Sequence, residues 1–404
     1  MRKLLSGLFM ACLFAFQASA AEPLHEAEFI FDPAVKSHGH VHASCIVECP
    51  NGDLRAVWYE NGDPLPPPYF SAQQDKNDNV RIGGSRRGKD SGAWEEPFVM
   101  ADTFGVSDNN PCLVIDKQER LWLIYPTLTG VPKWTWGSAL IRYQVSSDYQ
   151  KPGKPAWEES EILIPRVKGL GQVLENTLKA VEEQGLIPKA RIEEMRRESA
   201  EELKNPLIER FGFMPRAHPL VRSDGALLLP LSNENFSVAA MAITSDGGAT
   251  WSFSKPVPEA GLTQPTVVEF PDGKLSSFFR NSRPQHRILR SDSEDGGLTW
   301  SAPALTDLLH PGAGIEALVL KNGHLVMIYN DKEEGPRDRL AVSISEDRGK
   351  TWKWTRHLEN TPGGRFDYPS IIQAKDGSLH ATYSYNLETI KHVRFNEEWV
   401  KTGE

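Results

Sequence analysis

An octapeptide that recurs three times is the strongest constraint on the fold of this chain. It reads Ser/Thr-X-Asp-X-Gly-X-Thr-Trp and occupies residues 244–251, 293–300 and 345–352, so that its tryptophans lie 49 and 52 residues apart. A fixed period of this length is typical of repeat folds in which each repeat forms one small sheet. The Asp, Ser and Thr side chains are expected to hydrogen-bond a tight turn, while Trp packs between neighbouring sheets. We therefore assign the octapeptide a structural role.

Short polar turns between apolar, strand-like runs follow the same period. They lie at residues 50–53, 116–120, 223–226, 271–274, 321–324 and 375–378, and five of the six contain Asn-Gly or Asp-Gly. These dipeptides indicate hairpins because both residues tolerate positive φ. Six hairpins predict six four-stranded sheets, and radial stacking would give each sheet a core and protect its edges. The expected fold class is all-β, a six-bladed β-propeller formed by residues 21–404 as one domain.

One segment, from about residue 166 to 212, breaks the strand pattern. Residues 170–184 have a helical pattern that ends at Gly185, and a second helical run, rich in Glu, Arg and Ala, begins after Pro188. We interpret the segment as a helical hairpin inserted in a blade loop. It could shape a cleft or contact a partner, and the sequence leaves the oligomeric state open.

The N-terminus and the charge balance indicate where the protein works. Residues 1–20 have a basic start, an apolar run and a small-residue site at the end, which predicts a signal peptide and therefore an exported protein, periplasmic or secreted. No other run reaches the ~18 apolar residues of a membrane-spanning helix, so we expect no membrane insertion. The formal net charge of −9, without a dense Lys/Arg run, argues against nucleic acid as a partner.

The hairpin register places polar side chains from different blades at one pole of the ring. Counting back nine residues from each turn gives one column: Ala43, Asn110, Arg216, Gln264, Gly314 and Tyr368. Side chains two residues further along share its face: Cys45, Cys112, His218, Thr266, Glu316 and Ser370. The return strands end at the same pole with Tyr59, Pro126, Ser232, Arg280, Asn330 and Ser384. Such a convergence of ionisable groups predicts a ligand site.

These octapeptides, known as Asp boxes, together with the six hairpins and the polar registers resemble the sialidase (neuraminidase) superfamily. Within it, the chain is similar to bacterial exported proteins with Asp-box (BNR) repeats. The resemblance implies three arginines that hold a sugar carboxylate, a Tyr nucleophile with a Glu partner, and an Asp acid/base. Tyr368, in the run FDYPS, matches the nucleophile, and Arg280, in the run FFRN, matches the second arginine.

For the other functional residues of the family, this sequence offers more than one candidate. Arg337 or Arg339 could be the third arginine. The acid/base falls in the loop 73–78, where Asp75 is the first choice and Asp78 the second. Asn110, at the same pole, is expected to bind substrate.

Two departures from the family pattern affect the expected chemistry. His42 stands where the family has its first arginine, and Gln264 stands where it has the glutamate that deprotonates the tyrosine. Glutamine does not accept a proton near neutral pH. In its place, His42, His218 or Glu316 could take the proton of the phenol. Arg216 and Arg280 could lower the pKa of the phenol.

The sequence therefore predicts a glycoside hydrolase that removes an acidic terminal sugar, sialic acid or a uronic acid, from glycans. Arg216, Arg280 and Arg337 would bind the carboxylate, with His218, Gln264, Asn110 and Asp78 as further substrate-binding residues. Two alternatives stay open: a lyase on uronate glycans, with His42 or His218 as the base, and a non-catalytic glycan-binding propeller. We expect no cofactor and no metal, although His38, His40 and His42 alternate as strand ligands would.

Overall fold

A computed structural model describes residues 22–34, 39–69, 74–131, 134–185, 187–281 and 285–403. The predicted signal peptide and His38 lie outside these residues. The strands, in chain order, are β1 (His25–Phe29), β2 (His42–Glu48), β3 (Leu54–Asn61), β4 (Val80–Arg87), β5 (Phe98–Ala101), β6 (Ser107–Asp108), β7 (Cys112–Ile115), β8 (Leu121–Leu128), β9 (Ala139–Ser146), β10 (Glu159–Leu163), β11 (Phe213–Met214), β12 (Leu220–Val221), β13 (Leu227–Asn233), β14 (Val238–Thr244), β15 (Ser252–Phe253), β16 (Leu262–Glu269), β17 (Leu275–Asn281), β18 (Arg287–Ser293), β19 (Ala304–Leu309), β20 (Glu316–Val319), β21 (Leu325–Tyr329), β22 (Arg339–Ser345), β23 (Trp354–Asn360), β24 (Phe366–Gln373), β25 (Leu379–Tyr385) and β26 (Thr389–Phe395).

The strands form six antiparallel sheets, which are the blades of the predicted six-bladed propeller. Blades 1, 4 and 5 are simple meanders, β2-β3-β4-β5, β16-β17-β18-β19 and β20-β21-β22-β23. In blades 2 and 3 the innermost strand is split, as β6 and β7 beside β8 and as β11 and β12 beside β13; β9-β10 and β14-β15 complete these sheets. Blade 6 has the order β24-β25-β26-β1, so the first strand of the chain closes the ring against the last.

The Asp boxes stabilise turns between strands, as the sequence predicted. In the first box, Asp246 Oδ1 accepts hydrogen bonds from Thr244 Oγ1 (2.8 Å) and the Thr250 amide (2.9 Å), while its Oδ2 accepts from Thr250 Oγ1 (2.6 Å). The hydrogen bonds from Thr250, followed by that from Thr244, lower the pKa of Asp246 to about 2. Trp251 packs edge-on against Trp122 of the preceding blade at 6.3 Å between ring centroids.

Four residues of the column predicted from the hairpin register share one backbone conformation. Ala43, Asn110, Gln264 and Tyr368 adopt the left-handed region, with φ of 58°, 35°, 50° and 50°. In blades 1, 4 and 6 a register shift of the inner strand surrounds this residue. A bulge of this kind re-aims one side chain, and here it does so at equivalent positions around one pole.

The inserted segment forms two helices, α1 (Leu170–Glu183) and α2 (Lys189–Glu202). α1 buries Leu170, Val173 and Leu178, the first two in the apolar core shared by blades 2 and 3. Arg196 of α2 bonds carboxylates of α1 and fixes the helices to each other. A short helix, α3 (Glu397–Lys401), follows the last strand. Among the described residues, no helix is long and apolar enough to cross a membrane.

Candidate active site

The hydroxyl of Tyr368 is the centre of the polar cluster. It accepts hydrogen bonds from Arg280 Nη1 at 2.9 Å and from Gln264 Nε2 at 3.0 Å. Burial alone would raise the pKa of this phenol, but the charges of Arg280 and Arg337, the hydrogen bond from Gln264 and the charge of Arg216 lower it below its usual value. Two donors and three cations around one buried oxygen stabilise a phenolate.

The arginines reach Tyr368 from three different blades. The guanidinium of Arg216 lies over the phenol ring at 4.7 Å from the centroid, and that of Arg337 at 5.8 Å. Of the two predicted alternatives, Arg337 therefore reaches the ring, whereas Arg339 is exposed at the start of β22. Glycine at position 314 is needed for this packing, because a Cβ there would come within 3.2 Å of the Tyr368 ring and 3.3 Å of Arg216 Nε.

Two of these arginines have unused hydrogen-bonding capacity. Arg216 is buried and donates from Nη2 to the carbonyl of Pro369 at 2.7 Å, while its Nε and Nη1 have no partner. Arg280 Nε is likewise buried without a partner. In the part of the chain that the structure describes, neither guanidinium forms an ion pair. Buried charges of this kind are costly unless they are paired, which makes an anion the expected ligand.

Gln264 is oriented as a donor towards Tyr368. Its Oε1 accepts from Arg280 Nη1 at 3.3 Å, which leaves Nε2 facing the phenol oxygen. An amide in this orientation cannot remove the phenol proton, but it does stabilise the ionised form.

His42 packs on the face of Tyr368 and not at its hydroxyl. The two rings are 4.3 Å apart between centroids and tilted by 55°. Ser384 Oγ lies 2.9 Å from His42 Nδ1 and also accepts from the Ala43 amide, so we assign the serine proton to Nδ1 and the ring proton to Nε2. Burial, followed by the nearby cations, lowers the pKa of His42 well below its usual value, and the ring is neutral.

The candidate acid residues lie in the loop before β4. Asp75 is partly exposed, lies 3.3 Å from Lys76 Nζ, and acts electrostatically on His40 and Tyr59 at the same pole. Its backbone carbonyl accepts a hydrogen bond from Asn109 at 2.7 Å, which fixes the loop to blade 2. Asp78 is buried in the same loop. Asn110 is buried in blade 2, next to Met214 at a donor–sulfur distance of 4.0 Å.

His218 and Glu316 form a buried pair deeper in the central channel. Glu316 accepts from the His218 ring (2.7 Å), the His218 amide (2.6 Å) and the Ile371 amide (3.0 Å). The other ring nitrogen of His218 lies 2.6 Å from the Ile46 carbonyl and 3.2 Å from Cys45 Sγ. Burial alone would lower the pKa of His218, but Cys45 and Glu316 raise it well above its usual value. No hydrogen bond joins the pair to the Tyr368 hydroxyl.

Several residues that sequence reasoning missed complete the site. Asp367 is fully buried and binds Arg337 (2.9 Å) and Arg365 (2.5 Å), which aligns Arg337 beside Tyr368. Glu234 is half-buried just after β13, where desolvation raises its pKa, and the hydrogen bond from Ser232 and the charge of Arg280 oppose the rise. His310 has both ring nitrogens buried without a partner, and burial followed by Arg280 and Arg337 lowers its pKa to about 3. Asp367 could have been predicted from the sequence, because it directly precedes Tyr368, whereas Glu234 and His310 lie in loops without a repeating pattern.

The described residues contain no cluster of His, Cys, Asp and Glu that could hold a metal ion. His40 and His42 lie 5.6 Å apart between ring centroids in an edge-to-face arrangement. The third histidine of the alternating run, His38, lies outside the described residues.

Part of the chain is similar in sequence to known proteins. Residues 198–381 match the BNR repeat-like domain family. A sialidase of Paraclostridium sordellii is 27% identical over 194 residues, which cover 41% of this chain and 46% of that protein. The match thus spans less than half of that relative.

Solved structures share the fold at low sequence identity. A protein of unknown function from Dyadobacter fermentans has a TM-score of 0.66 and 18% identity, with coverage of 92% of this chain and 98% of that chain. A Hadza microbial sialidase has a TM-score of 0.69 and 14% identity, with coverage of 93% and 69%.

Proposed function

The chain belongs to the sialidase-like superfamily of BNR-repeat propellers, and we propose that it is a glycoside hydrolase that releases an acidic terminal sugar from glycans. The observation that carries this proposal is the set of unpaired guanidinium groups around the Tyr368 hydroxyl. Sialic acid and uronic acids share the required chemistry, a carboxylate next to the ring oxygen of a sugar.

The arginines supply the recognition of the carboxylate. Arg216 Nε and Nη1 and Arg280 Nε are buried donors without partners, and a carboxylate can accept from several of them at once. Arg337 differs, because Asp367 already neutralises it. Among the described residues Arg216 and Arg280 form no ion pair, so an acidic sugar supplies a partner for their charge that a neutral sugar lacks.

Tyr368 is the proposed nucleophile. Its oxygen forms a bond to the anomeric carbon while the bond from that carbon to the leaving oxygen breaks; water then displaces tyrosine and releases the sugar. A tyrosine suits this step because a carboxylate nucleophile would be repelled by the acidic sugar, and sialidases are known exceptions to the two-carboxylate scheme. Asp75 is the proposed acid that gives the leaving oxygen its proton.

The nucleophile is prepared by cations and not by a general base. Arg280, Arg337 and Arg216 lower the pKa of the phenol, and Gln264 donates a further hydrogen bond to its oxygen. His42 is turned with its ring face to the phenol, and His218 and Glu316 bind each other deeper in the channel. These contacts favour positioning roles for His42, His218 and Glu316.

The test is turnover of 4-methylumbelliferyl glycosides of sialic acid and glucuronic acid by Tyr368→Phe. We expect a loss of more than about 10³-fold in kcat, because the variant has no nucleophile. Tyr385→Phe is the matched control, since it removes a phenol oxygen from the same blade, where the Tyr385 ring packs against Phe29 and Phe366 and not against Tyr368. Wild-type turnover by Tyr368→Phe would refute the assignment.

The products separate this proposal from its alternatives. A hydrolase releases the free acidic sugar, a lyase gives an unsaturated uronate that absorbs in the ultraviolet, and a binding protein gives no product. Either of the last two results, with glycan binding intact, would replace the hydrolase proposal.

A further inference from the structure

A cleft lies between the helical hairpin and the propeller. It has a volume of about 630 Å³, within the ~300–1,000 Å³ typical of small-ligand sites. α1 and α2 form one side. The loop that joins β13 to β14 and the segment that joins β15 to β16 form the other side, with Phe236 and Ala260 among its lining residues.

This cleft shares its loops with the candidate active site. Asn235, Phe236 and Ser237 line it and directly follow Glu234, which interacts electrostatically with Arg280. Gly261 lines it three residues before Gln264. The loop ends that hold the polar cluster therefore continue into the wall of the cleft.

Contacts between the helical hairpin and the propeller hold the two walls of the cleft in a fixed position. Thr177 of α1 accepts a hydrogen bond from the Ala260 amide of the opposite wall at 2.9 Å. Leu178 of α1 is buried, and Phe236 opposite is buried as well. The cleft thus has two walls that are joined to each other.

The lining suits an uncharged, amphipathic ligand. Apolar side chains from both helices, Leu174, Val181 and Met195, face the cleft together with polar ones such as Gln184 and Asn235. Sugars present apolar C–H faces and hydroxyl groups to such a surface. The charged lining is mainly acidic, with Glu198, Glu202 and Glu259 against Arg191, which disfavours an anionic ligand.

We propose that this cleft binds the uncharged saccharide that follows the acidic terminal sugar, and so selects extended glycans over short glycosides. The proposal rests on the proposed function, because it needs an acidic sugar held at Tyr368. The division of charge supports it: unpaired arginines lie at the pole, and a mostly acidic lining lies in the cleft beside it. A neutral chain can occupy the second while its acidic end occupies the first.

The test compares two substrates and two variants. The substrates are 4-methylumbelliferyl sialoside, which ends in a small aryl group, and sialyllactose, which continues into two neutral sugars. Met195→Trp fills the cleft from α2. Ala200→Trp places the same side chain on the exposed, opposite side of the helix, about half a turn away from Glu198 and Glu202. The corresponding pair of glucuronides provides the uronate arm.

For Met195→Trp we expect KM for the oligosaccharide to rise about tenfold, while kcat/KM for the aryl glycoside stays at the wild-type value. Ala200→Trp should match the wild type on both substrates. Binding of lactose alone, followed by saturation-transfer NMR, should be lost in Met195→Trp.

The two proposals fail in different ways. Absence of aryl glycoside turnover by the wild-type protein, with sialic and uronic acids, would refute the proposed function and this inference with it. Turnover of the aryl glycoside, together with equal oligosaccharide kinetics in wild type and Met195→Trp, would overturn only the cleft assignment. An equal loss on both substrates would also overturn it, because the substitution would then act on the common site.

Discussion

Gln264 offers the sharpest test of how Tyr368 is activated. Its Nε2 donates to the phenol oxygen at 3.0 Å, while its Oε1 accepts from Arg280 at 3.3 Å. The change Gln264→Glu is nearly isosteric, yet it replaces the donor by an acceptor. The phenol must then donate its own proton to residue 264, which converts a site prepared by cations into one with a general base.

The expected effect is a change in the pH profile. Below the pKa of Tyr368 the phenolate fraction falls about tenfold per pH unit, so kcat/KM of the wild type should fall by that factor on the acid side. In the variant, the fall of kcat/KM at low pH should instead follow the protonation of the carboxylate at position 264. At 3.3 Å and an effective dielectric constant of ~20, Arg280 attracts that carboxylate by about 5 kcal/mol before desolvation, which keeps it ionised. A general base contributes ~10²–10⁴-fold, so we expect at least about 10²-fold higher kcat/KM near pH 5.

The assay is kcat/KM on the aryl glycoside from about pH 4 to about pH 9. Gln264→Met is the control, since it removes both hydrogen bonds and should lower activity at every pH. A wild-type acid limb that is flat over this range would refute the reasoning. So would a variant whose rate near pH 5 equals that of the wild type, provided that circular dichroism shows both proteins folded.

Three further predictions concern charged groups of the site and of the first Asp box. Arg216→Met should raise KM for the acidic sugar about 10–100-fold, by loss of ~1.5–3 kcal/mol of charged hydrogen bonding. The thermal unfolding temperature should change little, because the loss of the hydrogen bond to Pro369 is offset by the removal of two unpartnered buried donors. Glu316→Gln should lower the free energy of unfolding in urea by ~3–5 kcal/mol near pH 7, because it leaves the His218 imidazolium unpaired. At low temperature, where the variant is folded, kcat should stay at the wild-type value. A loss of kcat with unchanged stability would instead show that Glu316 is catalytic. Asp246→Asn should destabilise the protein near neutral pH, and the difference should vanish as the pH falls towards 2, since a lowered carboxyl pKa stabilises only above it.

The repeat pattern was enough to predict the blades, because each hairpin and Asp box acts locally. The turn at Asp246 is formed by side chains within the same octapeptide, and a register counted from the hairpins needs no long-range information. Ring closure is different. The pairing of β1 with β26 joins residues more than 360 positions apart, such as His25 and Phe395. No local motif in the first strand indicates that it pairs with the last one.

The same distinction explains what could be predicted of the site. The register located Tyr368, Gln264 and Arg280 at one pole, and the structure joins them by hydrogen bonds at 2.9–3.3 Å. Register does not specify which way a side chain turns. It left Arg339 as an alternative to Arg337, and it could not separate Glu316, which bonds His218, from a base at the phenol.

The direction in which each polar atom points determines the chemistry of this pole. Glutamine at position 264 removes the usual proton acceptor, which from sequence alone argues for a binding protein. In the structure the amide donates to the phenol oxygen, since Arg280 fixes its carbonyl side, and it therefore acts in the same sense as the arginines. Two donors at the Tyr368 oxygen and the charges of Arg216 and Arg337 over its ring stabilise the phenolate. A site that only binds an anionic sugar has no need of a second anion. The geometry thus favours a nucleophile over a binding surface.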